Sequence, residues 1–81
     1  MNLYVLTRIN EDGSEGADFD EVAGFVIAAE DEGAARHLAT YRHGDEGPWP
    51  WRDVKKTRCH LVGQALPEQS EGILMRDFHS A

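Results

Sequence analysis

Only one stretch of this chain, EDEGAARHLATYR at 30–42, carries apolar residues at helical spacing, and short β-rich runs lie on both sides of it. Ala34, Ala35, Leu38, Ala39 and then Tyr41 or Arg42 follow at helical spacing, which places them along one stripe of a helix. Asp31 supplies an N-cap, Glu32 a first-turn charge that suits the helix dipole, and Gly44 a terminator just beyond. The spacing predicts a helix over about 31–42, with Gly33 costing about 1 kcal/mol relative to alanine.

The flanking runs read as strands. Residues 3–9 (LYVLTRI) and 22–29 (VAGFVIAA) precede the helix, and 54–62 (VKKTRCHLV) and 72–78 (GILMRDF) follow it. HGDEGPWPW at 43–51 holds two prolines and two glycines and is expected to be loop throughout, while GQALPEQSE turns the chain between the last two strands. The order is β-β-α-β-β. A chain of 81 residues completes one sheet with one helix and little more, so residues 1–81 form a single α+β domain. An antiparallel sheet packs one face on the single helix, and its opposite face is left to water or a partner.

An apolar fraction of 41% is enough for a core and argues against disorder. The lone cysteine, Cys59, excludes an intrachain disulfide and suits a reducing compartment. MNLYVLTRIN lacks the basic and apolar regions of a signal peptide, and no apolar run reaches membrane-spanning length. A cytoplasmic protein is expected.

Net charge is −7 and is unevenly placed along the chain. Residues 1–32 hold nine acids against Arg8, giving −8, and residues 33–81 hold six acids against seven bases, giving +1. Six carboxylates fall within NEDGSEGADFDE at 10–21: Glu11, Asp12, Glu15, Asp18, Asp20 and Glu21. Glu30, Asp31 and Glu32 form a second cluster. One reading is that this charge solvates a connector and keeps a small protein from aggregating. The other is that it imitates phosphates, competing for lysines and arginines that bind a nucleic-acid strand and releasing counterions as DNA does. A lopsided charge of this kind disfavours nucleic acid and anionic membrane and favours a basic protein partner.

Catalytic and metal chemistry find little support. Cys59 and His60 are adjacent, so on a strand they point to opposite faces and cannot act as a nucleophile–base pair. His37, His43, His60 and His79 lack metal-ligand spacing. Asn10, Asp12, Ser14, Asp18 and Glu21 echo a calcium loop, but Glu15 stands where that loop needs glycine and strands replace the flanking helices. GSEG lacks a phosphate-loop lysine. Neither catalytic residue, metal nor cofactor is assigned.

GPWPW at 47–51 is the second unusual stretch, because proline presets extended backbone and tryptophan is enriched at interaction hot spots. Trp49 and Trp51 are therefore candidate contacts, the competing role being a loop tryptophan folded over a small core. Arg52, Lys55, Lys56 and Arg58 nearby read as a solvated strand edge, where lysine discourages edge pairing.

LYVLTR, the segment GFVIAAEDEGAARHLA, a Trp-bearing loop and the closing GILMRDF together resemble a family of small uncharacterised proteins encoded by bacteriophages and prophages. The resemblance covers most of the chain, and it implies genomic setting and fold but brings no activity. Size and acidity are also similar to those of anti-CRISPR proteins, several of which present carboxylates where a nuclease or surveillance complex expects DNA. The resulting expectation is a non-enzymatic inhibitor of a host nucleic-acid-handling complex. Its contact residues would be the nine acids of the two clusters with Trp49 and Trp51. The competing expectation is a small assembly protein that self-associates, or binds another phage protein, through its open sheet face.

Overall fold

A computed structural model describes residues 1–80 and shows the expected α+β architecture. The elements are β1 (Asn2–Arg8), β2 (Glu21–Ala29), α1 (Glu32–Thr40), α2 (Trp49–Arg52), β3 (Thr57–Gln64) and β4 (Gly72–His79). The sheet order is β3-β1-β2-β4 and every pairing is antiparallel. β1 and β2, which neighbour in sequence, form the central hairpin, and the two later strands add to its outer edges.

Alternation along β1 sends Tyr4 and Leu6 into the core, where they meet Val22, Phe25, Ile27 and Ala29 of β2. α1 lies over this face and contributes Ala35 and Ala39. Its N-cap is Asp31, whose carboxylate accepts the Ala34 amide at 2.8 Å. Gly33 sits in the first turn, one residue after Glu32, so it weakens the helix less than an interior glycine would. Gly24 is required by close packing of the central hairpin: a Cβ there would lie 2.6 Å from the Leu6 carbonyl oxygen.

Two sequence expectations need correction. The 43–51 stretch is not loop throughout, because Trp49–Arg52 make one helical turn. Pro48 and Pro50 fall at its N-cap and second position, where a missing amide hydrogen costs nothing. The third strand starts at Thr57 and not at Val54, because Asp53 closes a turn first. Its carboxylate accepts the Lys55 amide at 2.8 Å and its carbonyl accepts those of Lys56 and Thr57.

α2 exists to place Trp51, which is fully buried and meets Phe25 edge-on with ring centroids 4.8 Å apart. Beside it Arg36, only 8% exposed, ties three elements together. Its guanidinium donates to the carbonyls of Trp51 and Thr57, each at 3.0 Å, and to Thr57 Oγ1 at 2.7 Å. Glu32 closes the outer side of this network at 2.8 Å.

Candidate functional site

The hairpin places the two acidic clusters at opposite ends of β2, a strand of nine residues spanning about 27 Å. The far cluster is largely committed to structure, since Asp31 caps α1 and Glu32 pairs with Arg36. Glu30 is exposed beside them, its carbonyl accepting the Asn2 side chain at 3.3 Å.

At the near end the connector is a folded turn. Asn10 donates its amide to the Ser14 carbonyl and its side-chain nitrogen to the Ser14 hydroxyl, Ile9 bridges to Glu15, and the Asp12 carboxylate accepts both the amide and the hydroxyl of Ser14. Those bonds hold the Asp12 carboxyl below the usual carboxylate range, the hydroxyl contributing most. Glu11, Asp12, Glu15 and Asp18 are exposed. Glu21 is half-buried, where it meets Arg8 at 3.3 Å and accepts the Asp18 amide. Asp20 adopts a left-handed conformation, and its carbonyl accepts the Asp45 amide at 2.7 Å.

That last bond draws the 43–48 loop alongside the connector. Glu46 anchors the loop: one carboxylate oxygen accepts the Val22 and Gly44 amides and the other accepts the Trp51 indole at 2.7 Å. Exposed Asp45 thereby joins the acidic end. Two aromatic side chains stand out there, Phe19 and Trp49, each 74% exposed. The Arg52 guanidinium lies 6.0 Å from the Trp49 ring centroid.

Trp51 is withdrawn as a contact residue, because its indole is core and its one polar atom is already bonded to Glu46. The charge segregation along the chain is likewise not a segregation in space. Lys56 bonds through its carbonyl to the Ile9 amide, and Arg58 approaches Glu15 at 3.9 Å, so the 52–58 basic stretch flanks the acidic connector. The sequence reading missed Phe19 and Asp45. Phe19 was legible as an aromatic stranded among carboxylates, whereas the placement of Asp45 depends on a loop contact between residues remote in sequence.

Elsewhere Cys59 packs against the core while His60 is exposed on the other face. Burial, reinforced by Glu32 and opposed by Arg36, pushes the Cys59 thiol up to about 11. Among the described residues, no three or more His, Cys, Asp or Glu side chains are grouped to hold a metal ion. No helix among them is long and apolar enough to cross a membrane.

These features define a small α+β domain with an acidic, aromatic-bearing end and an uncovered sheet face. No protein-family model, curated protein or solved structure matches the chain.

Proposed function

We propose that this chain is a non-enzymatic binding protein whose acidic end occupies a basic, nucleic-acid-binding surface on a protein partner. A CRISPR effector in the host cytoplasm is the most concrete such partner. The reading is carried by the coincidence of exposed carboxylates at Glu11, Asp12, Asp18 and Asp45 with exposed Phe19 and Trp49 at one end of the sheet. Carboxylates draw lysines and arginines and set the on-rate, while aromatic side chains supply the desolvated anchor that charge alone lacks. The order of the connector supports it, because a pre-folded turn loses little entropy on binding.

The test is exclusion of fluorescent target DNA from a panel of guide-RNA-loaded CRISPR effectors. Wild type is expected to displace DNA from at least one, with affinity falling as salt rises from roughly 50 to 200 mM and the Debye length shortens from about 14 to about 7 Å. Glu11→Lys, Asp18→Lys and Asp45→Lys combined should abolish displacement with the fold intact, and Phe19→Ala with Trp49→Ala should weaken it at least tenfold. No displacement from any effector removes this reading.

A further inference from the structure

The face of the sheet turned away from α1 carries a shallow groove of about 340 Å³, floored by Val5, Thr7, Gly24, Val26 and Met75. Met75 is 65% exposed, and Val5 and Val26 are half-buried although only their own sheet flanks them. Glu15 and Gly16 also line the groove, and Leu3, Leu66 and Leu74 line a second, separate depression.

The strand registers arrange this face in rows. One row reads His60, Val5, Val26, Met75 from the β3 edge to the β4 edge. The next reads Arg58, Thr7, Gly24, Asp77 in the same direction. Opposite charges therefore occupy the two outer positions of a single row, with small or neutral residues between them. Neither is held tightly within its own chain: Arg58 lies 3.9 Å from Glu15, and Asp77 lies 4.0 Å from His79.

We infer that the occupant of this face is a second copy of the chain, packed sheet on sheet about a two-fold axis that runs along the strands. That axis carries β3 of one copy over β4 of the other and leaves the rows level. Arg58 of each copy then faces Asp77 of the other, giving two reciprocal ion pairs, and in the neighbouring row Val5 of each copy faces Val26 of the other while Met75 lies over the other copy's His60. A two-fold axis across the strands would stack like edges, and Arg58 and Asp77 would find no opposite charge. Two-fold interfaces must be self-complementary, and this row meets that condition in one orientation. Face-to-face sheets pack about 10 Å apart with strands nearly aligned, which the geometry allows.

The size of the face is adequate. Four strands about 4.8 Å apart and about seven residues long cover roughly 440 Å² in projection. A pair covers roughly 900 Å² before side-chain relief is added, against the roughly 1,000 Å² at which specific interfaces begin. The face lies near the lower limit for a specific interface, so a weak, reversible dimer is expected. The arrangement is independent of the binding reading above, since it uses a different surface. It brings both acidic connectors to one end of the dimer.

Sedimentation equilibrium over roughly 1 to 500 μM tests it with no other partner. Wild type should show a reversible monomer–dimer equilibrium. Arg58→Asp and Asp77→Arg, each placing like charges opposite one another, should each weaken it about tenfold. Combining the two should restore it to within about threefold, which no loss of folding can imitate. Val26→Lys, at the centre of the face opposite Val5 of the other copy, should also dissociate the dimer with unchanged circular dichroism. A wild type that stays monomeric, or a dimer that Val26→Lys leaves intact, overturns the inference. Charge reversals without rescue in the double variant overturn the two-fold arrangement.

Discussion

Replacing Arg36 with methionine keeps the aliphatic stem of the side chain and removes the guanidinium that joins α1 to α2 and to the start of β3. The carbonyls of Trp51 and Thr57 each lose a charged donor, whereas Thr57 Oγ1 keeps its own bond to the Pro50 carbonyl at 2.8 Å. A buried acceptor left unpaired costs about 1–3 kcal/mol, so two cost about 2–6 kcal/mol. Burial of the methionine and entry of water offset part of this, leaving a net loss of about 3 kcal/mol. The ion pair to Glu32 adds little, because that carboxylate is 49% exposed. In a domain of this size each kcal/mol moves the melting temperature by about 4–8 °C, so the midpoint should fall by roughly 12–24 °C. Thermal unfolding followed by far-ultraviolet circular dichroism measures it, with urea unfolding to check that the transition keeps its slope. Arg36→Lys places a point charge where a planar fork is needed, and should recover about half of the loss. A methionine variant that melted within about 4 °C of wild type would show that the buried guanidinium does not hold these elements together.

Two further outcomes follow from the packing and the buried thiol. Gly24→Ala drives a Cβ to 2.6 Å from the Leu6 carbonyl oxygen and should cost about 2–3 kcal/mol in urea unfolding, whereas Gly33→Ala, with 3.4 Å to the Asp31 carboxylate, should be neutral or slightly stabilising. Equal effects at the two glycines would contradict the close approach of β1 and β2. Cys59, raised from 9.0 to about 11, should react with iodoacetamide at pH 8 about 100-fold more slowly in the folded protein than in urea, because its thiolate fraction is smaller by that factor. A folded pKa above the unfolded one means the stabilising contribution is complete below about pH 9 and is lost as pH rises towards 11. A folded-state rate within about threefold of the unfolded rate would refute the assigned burial.

The strands and α1 were legible because their signals are local. Alternation in LYVLTRI, the apolar run VAGFVIAA and the Asp31 cap each depend on neighbours within a few residues, and the observed elements coincide with them to within a few positions. Chain length and the order of these elements similarly pointed to a sheet with one helix-covered face. What local signals did not decide was which of two tryptophans would be buried. Trp49 and Trp51 lie two apart in a proline-rich run, and a single turn of helix sends one to the core and leaves the other in solvent. Glu46 and Arg36 set that turn through bonds to Trp51, made from elements outside it. Charge behaved the same way. The chain separates acids from bases, yet β3 pairs with β1 and returns Arg58 to Glu15, because cross-strand neighbours are set by sheet order. The rows that place Arg58 and Asp77 at opposite edges of one face likewise exist only once four strands are in register. Spacing along a chain sets which residues share a face within one element; long-range pairing, driven by burial of the common core, sets which faces meet.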